Sequence, residues 1–319
     1  MIRFLLSRLV GAGIVLSAMS LVVFALIGLM PGDPVDLMVV GNPDITSEQI
    51  AHLREIYGVG TPFTDRYLHW VTAALHGDLG FSRQQNRPVL RIIWPALGNT
   101  VVLMATALVI AMAVAIAIGT LAAARRGRWT DRLIGLVAYA GISVPTFWLG
   151  LILIYLFAVN LGWLPAGGMP QPTEGASGFL RHLTLPLLTL VIAEVGGPTR
   201  HVRAAMIEVL SQDYIRTARA MGMPPIRIVL RHALRNAMIP VSTIFALSFG
   251  HLFSGALLTE TIFGWNGMGR LIYDAIMGND YNLALVGLLF TTATVLLASI
   301  AADIAYTKLD PRIALGKAH

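Results

Sequence analysis

The hydrophobic pattern of the chain consists of long apolar runs that are separated by short polar segments. Six of these runs are long enough, or nearly so, to cross the ~30 Å hydrocarbon core of a bilayer as a helix of ~20 residues. The pattern therefore predicts an all-α, polytopic membrane protein with six transmembrane helices. The runs cover residues 9–30, 100–124, 133–160, 183–206, 237–259 and 283–306.

The composition agrees with this prediction, since 56% of the 319 residues are hydrophobic and only 13% are charged. The first run exceeds the length of a usual signal-peptide core and is followed by no clear small-x-small cleavage site. We therefore expect it to remain in the protein as a transmembrane helix.

Basic residues in the loops predict which side of the membrane each loop occupies, because Lys and Arg are enriched in cytoplasmic loops. With six spans, the loops on the side of the termini hold 16 of the 23 Lys and Arg residues, and the loops on the opposite side hold 7. Both termini are therefore predicted to be cytoplasmic. This topology also explains the net charge of +6, so we expect no nucleic-acid partner.

We divide the chain into three parts. Residues 1–96 form the first transmembrane helix and a long extracytoplasmic loop, residues 97–307 form the transmembrane core, and residues 308–319 form a cytoplasmic tail. Within the loop, a capping box over residues 46–49 and Gly58 bound one short predicted helix. A second helix is predicted from Thr61 onward, with an aromatic stripe that favours packing as a scaffold over contact with a partner.

The segment between the fourth and fifth runs, residues 208–240, is charged and forms helices between apolar neighbours. Tyr214 to Met221 is predicted to be a short helix, Gly222 suits a left-handed C-terminal turn, and Pro225 can open a second helix. The segment therefore predicts a helix–turn–helix projection. An ordinary basic loop between membrane helices remains the alternative.

Seven further motifs accompany this segment in a fixed order. They are MPGDP (30–34), GDLG (77–80), SVPTFWLG (143–150), LPAGG (164–168), HLTLPLLTL (182–190), ETIFGWNGMGR (260–270) and LDPRI (309–313). Together with Arg216, Ala218 and Gly222, this order resembles the permeases of ATP-binding-cassette (ABC) importers of the dipeptide, oligopeptide and nickel family. The chain departs from the general coupling motif of such permeases, because Arg216 and Thr217 replace its Glu-Ala pair. These departures are typical of the peptide branch.

The resemblance implies a type I ABC importer permease fold and a subunit that moves di- or oligopeptides into the cytoplasm by alternating access. The expected partners are a homologous second permease, two ATP-binding ATPase subunits or domains, an extracytoplasmic solute-binding protein and the lipid bilayer. It also implies a bacterial cytoplasmic (inner) membrane location. Nickel-chelate and glutathione permeases of the same family are the alternative.

The chain has no phosphate-binding G-x-x-x-x-G-K-[ST] loop, no H-E-x-x-H metal motif and no G-x-S-x-G nucleophile motif. We therefore predict no catalytic residue, no metal site and no cofactor in this chain, with ATP and Mg²⁺ held by partner ATPases. The projection around Gly222 is then the expected ATPase docking point. Its candidate coupling residues are Arg216, Ala218, Ala220, Gly222, Ile226, Arg227, Val229, Leu230 and Arg231.

Three ionisable residues in or near the predicted spans are candidates for the solute pathway, because such residues are costly within a membrane. Glu194 precedes Gly196-Gly197-Pro198, where a kink or break is expected. His251 lies in the middle of the fifth run, and Glu260 lies at its end. Each of the three also has a structural interpretation, as a hydrogen-bonding partner inside the bundle.

Two other classes of protein remain as alternatives. A self-contained secondary transporter should show repeated halves and a charged midplane site, and only the region of Glu194 suggests one. A membrane enzyme needs a catalytic cluster, and the sequence offers none.

Overall fold

The computed structural model describes residues 2–28, 46 and 61–309. The first predicted loop helix, the MPGDP motif and residues 310–319 of the predicted tail lie outside the described residues. Within helices that are otherwise described, the side chains of His251 and Asp303 also lie outside the description.

The regular secondary structure of the described chain is helical, as the sequence predicts, apart from one small hairpin with two residues in each strand. The elements are α1 (Ile2–Gly28), α2 (Phe63–Leu75), β1 (Phe81–Ser82), β2 (Arg87–Pro88), α3 (Val89–Ala124), α4 (Trp129–Ser143), α5 (Thr146–Leu153, continuing as a π-helix over Ile154–Asn160), a 3₁₀ turn (Pro172–Glu174), α6 (Gly175–Leu210), α7 (Asp213–Ala220), α8 (Pro225–Arg227, continuing as a π-helix over Ile228–Ala233), α9 (Leu234–Ile262), α10 (Met268–Met277) and α11 (Tyr281–Leu309). Strands β1 and β2 are antiparallel, with Phe81 opposite Pro88 and Ser82 opposite Arg87.

Helices α3 and α6, each 36 residues long, pack together along their length and form the centre of the bundle. Near their beginnings, Leu103 belongs to the same buried cluster as Leu183. Near their ends, Ala123 belongs to the same cluster as Met206. The two helices therefore run in the same direction. We call the end of the bundle where they begin, which also carries strands β1 and β2, the far end. The end where they finish carries the helical segment of residues 213–233, and we call it the hairpin end.

Helix α4 runs back along α6 at very short range, because two glycines let the backbones approach. A Cβ atom on Gly196 would lie 2.4 Å from the carbonyl oxygen of Ala138, closer than any real Cβ contact. At Gly141, the corresponding distance to the carbonyl oxygen of Ile192 would be 3.2 Å. Small residues at helix contacts are typical of membrane bundles, where close packing replaces the hydrophobic driving force.

The third predicted span is not one straight helix. Helices α4 and α5 meet at an angle of 102° across a short break. Pro145 explains the break, since the residue before a proline is forced out of the helical region, and Val144 adopts extended angles (φ −86°, ψ 123°). The expected kink or break at Gly196–Pro198 is absent from the hydrogen-bonding pattern, because α6 is continuous from Gly175 to Leu210.

The six predicted spans correspond to six helical elements. Within the described residues, four helices are individually long and apolar enough to cross a membrane, and the bent pair α4–α5 makes a fifth if it is one span. The fifth predicted run lies in α9, whose 29 residues exceed the ~20 needed.

Helix α2 packs against α1 through the predicted aromatic stripe. The ring of Phe24 contacts those of Phe63, Tyr67 and Trp70, with centroids 5.4–6.1 Å apart. The hydroxyl groups of Tyr67 and Ser20 are 2.8 Å apart, within hydrogen-bonding distance. The predicted scaffold role of this helix therefore matches its observed packing.

Candidate functional site

The charged segment forms a compact helical hairpin at the end of the bundle. We call residues 213–233 the basic hairpin. Its turn is at Gly222, whose φ of +75° lies in the left-handed region that favours glycine. The N–H of Gly222 donates to the Arg219 carbonyl (3.0 Å), and the N–H of Met223 donates to the Ala218 carbonyl (3.2 Å). These two bonds form a Schellman C-cap, so the predicted glycine turn is confirmed.

Pro225 opens the second helix of the basic hairpin at its first position, as the sequence predicts. This helix does not end before the membrane. It passes through the π-helix at Ile228–Ala233 directly into α9, so the helical backbone is continuous from Pro225 to Ile262. At 1.5 Å per residue, this rod is roughly 55 Å long. π-Helical turns inside longer helices are frequent at functional sites.

The inner face of the basic hairpin is fixed to the bundle by small and branched apolar residues. Ile215, Ala218, Ile228 and Ala233 are all buried in one cluster. The cluster also contains Val202 and Met206 of α6 and Met112 of α3. The hairpin is therefore anchored through side chains on both of its helices.

The outer face of the hairpin is exposed and combines apolar and basic side chains. Ile226 is 66% exposed and Leu230 is 55% exposed. Arg227 and Arg231 are exposed beside them, as are Arg216 and Arg219 on α7. The ion pair of Arg216 with Asp213 (3.5 Å) involves two exposed side chains, so it contributes little to stability.

The candidate coupling residues thus separate into two groups. Arg216, Ala220, Gly222, Ile226, Arg227, Leu230 and Arg231 are exposed, whereas Ala218 is buried and Val229 is half-buried against the core cluster. The sequence analysis missed Ile215 and Ile228, which anchor the hairpin. Ile215 stands three residues before the buried Ala218, on the same side of α7, and this apolar pair is the signal that could have identified it.

At the far end, Glu260 lies in the last turn of α9 and is fully buried. Its carboxylate accepts hydrogen bonds from the backbone N–H groups of Gly269 (2.7 Å) and Arg270 (3.2 Å), at the start of α10. It also accepts the hydroxyl of Thr100 on α3. The same hydroxyl oxygen accepts the N–H of Met268 (2.7 Å). Glu260 and Thr100 together therefore cap the N-terminus of α10 and tie it to α3 and α9.

The chain around Glu260 is held by further hydrogen bonds at this end. The indole N–H of Trp265 donates to the Asn99 carbonyl (3.1 Å), and the Asn99 amide donates to the Asn266 carbonyl (2.9 Å). The Gly168 N–H donates to the Phe263 carbonyl (2.6 Å). The ETIFGWNGMGR and LPAGG motifs therefore meet in one connected structure, which the sequence did not predict.

The remaining pathway candidates lie between the two ends. Glu194 is half-buried on α6, next to the stretch where Ile192 and Gly196 touch α4 just before its break. It is four residues before Pro198, which has no backbone N–H to donate within the helix. His251 lies in α9, with its side chain outside the described residues. The structure therefore does not bring the Glu194 side chain together with Glu260, which caps α10 at the far end.

At the hairpin end, α4 and α6 are joined by an ion pair with two contacts. The Arg203 guanidinium donates to both oxygens of the buried Asp131 carboxylate, at 2.6 and 2.9 Å. Such two-point pairs are stronger and more directional than single contacts. Among the residues that the structure describes, no three His, Asp or Glu side chains are grouped so that they could hold a metal ion.

These features define a polytopic helical membrane protein with a projecting basic hairpin whose second helix continues without interruption into one membrane helix. Residues 115–315 match the family model of binding-protein-dependent transport system inner membrane components. Residues 1–105 match the model of the N-terminal region of such membrane components. The chain belongs to this family of ABC importer permeases.

Similar proteins support the same membership. One is named as a probable peptide ABC transporter permease of Sinorhizobium fredii; it is 36% identical over 310 residues, which cover 97% of this chain and 98% of that protein. The glutathione transport system permease protein GsiC of Escherichia coli is 37% identical over 313 residues, covering 98% and 99%. A solved structure of the MetNI methionine ABC transporter aligns with a TM-score of 0.59 at 17% identity, over 70% of this chain and 99% of that one. This last likeness shows the fold alone.

Proposed function

We propose that this chain forms half of the membrane pathway of an importer that moves di- or oligopeptides into the cytoplasm. The names of the relatives support peptides as the solute class, and their similarity extends over nearly the whole chain. Glutathione is the second candidate solute, because a relative of equal coverage is named for it. Family membership disfavours a self-contained secondary transporter and a membrane enzyme.

The energy source in this proposal lies on other polypeptides. Two ATPase subunits or domains hold ATP and Mg²⁺, a homologous second permease supplies the other half of the pathway, and an extracytoplasmic binding protein delivers the peptide. The complex is located in the bacterial inner membrane, with both termini of this chain in the cytoplasm. The excess of basic residues at the hairpin end supports this orientation.

The basic hairpin is the docking element for an ATPase subunit. A helical projection that fits a groove needs an apolar contact surface and a fixed base. Ile226 and Leu230 supply the exposed apolar surface, and the buried Ile215 and Ile228 supply the base. Arg216, Arg227 and Arg231 pair with acidic groups around the groove. Ala220 lies at the exposed end of α7, and Ala218 and Val229 act by keeping the hairpin attached.

The continuous rod from Pro225 to Ile262 carries the movement of the ATPase across the membrane. Its hairpin end is the docking element and its last turn carries Glu260, which caps α10 and contacts Thr100. A displacement of the hairpin therefore reaches the far end as a rigid-body shift of packed helices. In this scheme Glu260 positions the far-end elements and does not contact solute.

The solute pathway runs past the break between α4 and α5. Discontinuous helices line the binding sites of many transporters, since freed carbonyls can face a cavity. The carboxylate of Glu194, on the α6 stretch that packs beside this break, interacts with the positively charged groups of the solute. His251 is the second pathway candidate.

The exposed face of the hairpin is the observation that carries the docking proposal, and a charge placed on it tests the proposal. Leu230→Asp should prevent co-purification of the ATPase subunits and abolish peptide uptake, because a carboxylate would be buried in an apolar contact. Leu75→Asp is the matched control, since Leu75 is 81% exposed at the far end. Normal ATPase binding by the Leu230→Asp protein would refute docking at this face.

A further inference from the structure

The turn between α3 and α4 carries a dense group of basic side chains at the hairpin end. We call residues 125–132, with the sequence RRGRWTDR, the arginine turn. Its four arginines are all exposed: Arg125, Arg126, Arg128 and Arg132. A positive-inside bias explains why arginines occur in such a loop, but it does not specify what they contact.

The one acidic residue of the arginine turn is already engaged. Asp131 is buried, with both carboxylate oxygens bonded to Arg203 and one of them also accepting the N–H of Gly127 (2.9 Å). Among the described residues, none of the four turn arginines has a carboxylate within ion-pairing distance. The four arginines therefore face outward without a direct ion pair, and only Arg126 has a longer-range attraction to the Asp131 carboxylate.

Next to these charges lies an exposed apolar strip. Trp129, in the first turn of α4, is 73% exposed. Leu133, Leu136 and Val137 follow four, seven and eight residues later, on the same side of the helix, and all three are exposed. A tryptophan between basic residues and an apolar surface is typical of the membrane–water interface.

We propose that the arginine turn and this strip bind an anionic phospholipid, with the phosphodiester of its headgroup held by the arginines. Guanidinium groups match phosphate oxygens with two parallel hydrogen bonds, and basic clusters directly beside a membrane helix recognise anionic lipids. Trp129 lies at the level of the lipid ester groups, and an acyl chain follows Leu133 and Leu136. The continuity of the basic and apolar surfaces favours a lipid over an acidic protein, which would leave the strip uncovered.

This proposal is independent of the docking of an ATPase to the basic hairpin. It is tested with the assembled transporter in phosphatidylcholine membranes that contain a small fraction of spin-labelled phosphatidylglycerol or spin-labelled phosphatidylcholine. The ratio of the two association constants is then measured by electron paramagnetic resonance. The native complex should prefer phosphatidylglycerol, and Arg126→Gln with Arg128→Gln should reduce that preference by roughly thirtyfold.

The matched control is the pair Arg219→Gln and Arg235→Gln, which removes two exposed arginines in and directly after the basic hairpin, at the same end of the bundle, that have no proposed role in docking. This control should keep the preference for phosphatidylglycerol. An equal loss of this preference in both pairs would overturn the proposal of a defined site, because it would show that the overall positive charge at this end attracts the lipid. Retained lipid preference in the Arg126/Arg128 pair would also overturn the proposal, and a loss of ATPase co-purification in that pair would then assign the arginines to the ATPase.

If the double variant does not assemble, the lipid preference can be measured instead for the single variants Arg126→Gln and Arg132→Gln. Each should weaken the preference for phosphatidylglycerol severalfold. Unchanged preference in both single variants would overturn the proposal.

Discussion

Among single residues, Glu260 shows how a buried carboxylate, which is costly to desolvate, can have a structural role. A buried carboxylate is tolerated only when its oxygens are satisfied, and here two backbone N–H groups and one hydroxyl donate to them. Its presence in the sequence is equally consistent with contact to solute. The capping role can be distinguished from contact with solute only by the position of the start of α10, which is set by tertiary structure.

Replacing Glu260 with Ala should destabilise the protein by at least about 2 kcal/mol, because the N–H groups of Gly269 and Arg270 would lose their acceptor inside the bundle. For a chain of this length, the corresponding fall in melting temperature is about 3 °C or more. Thermal unfolding of the purified permease complex measures it. Glu208→Ala, which changes an exposed glutamate on α6, should have almost no effect. An unchanged melting temperature for Glu260→Ala would contradict the capping role.

Glu194 should behave in the opposite way, since we propose that its charge serves transport. Glu194→Gln keeps the shape of the side chain and removes the charge, so peptide uptake should fall while assembly and melting temperature stay close to those of the native protein. Uptake per assembled complex, with Glu208→Gln as the control, measures the effect. Poor assembly of Glu194→Gln would instead indicate a structural role, and normal uptake would show that the charge is dispensable.

At the scale of elements, the basic hairpin was largely predictable because its signals are local. Gly222 and Pro225 mark a turn and a helix start by their own backbone preferences. The break of the third span had an equally local signal in Val144-Pro145, but the continuous apolar run around it indicated a single helix. The Gly-Gly-Pro stretch stays within the continuous helix α6, which packs against α3 and α4. Long-range contacts, such as Thr100 with Glu260, left no local signal.

The turn of the basic hairpin provides the prediction at this scale. Gly222→Val would force a β-branched residue into the left-handed region at a cost of about 1 kcal/mol or more, and would tilt α8 relative to α7. The spans should still insert, but ATPase attachment should weaken or hydrolysis should continue without uptake. Co-purification of the ATPase and peptide uptake in the same membranes measure both effects.

The matched control is Gly77→Val. Gly77 has a similar φ of +86°, open space around its Cβ position and a place at the far end of the bundle. It introduces the same backbone strain away from the docking face, so ATPase attachment should be retained. If Gly222→Val kept both attachment and uptake at native levels, the hairpin could not be the coupling element.

At the scale of the whole molecule, the bundle has two structurally different ends that are joined by the helical path from Pro225 to Ile262. The hairpin end carries the basic hairpin and the arginine turn, and the far end carries the capped start of α10. The two ends differ because α3 and α6 run in the same direction. The chain between these helices must therefore return to the far end before α6 begins. The number of spans and this arrangement could be inferred from the apolar runs, whereas the depth of each side chain could not.

The orientation of the two ends in the membrane is the final prediction, and it rests on the distribution of 16 basic residues against 7. The chain contains no cysteine, so single cysteines can be introduced without changing its background. Ser211→Cys at the hairpin end, and Ala314→Cys outside the described residues, should react with an impermeant maleimide only in inverted membrane vesicles. Ser82 is a poor reporter for the opposite side, because it is buried and its hydroxyl donates to Asp280. Gln85 and Ser177 are exposed at the far end, so Gln85→Cys and Ser177→Cys should react in cells whose outer membrane has been made permeable. Labelling of Ser211→Cys in those cells, while the inner membrane is intact, would invert the topology and with it the assignment of the hairpin to a cytoplasmic ATPase.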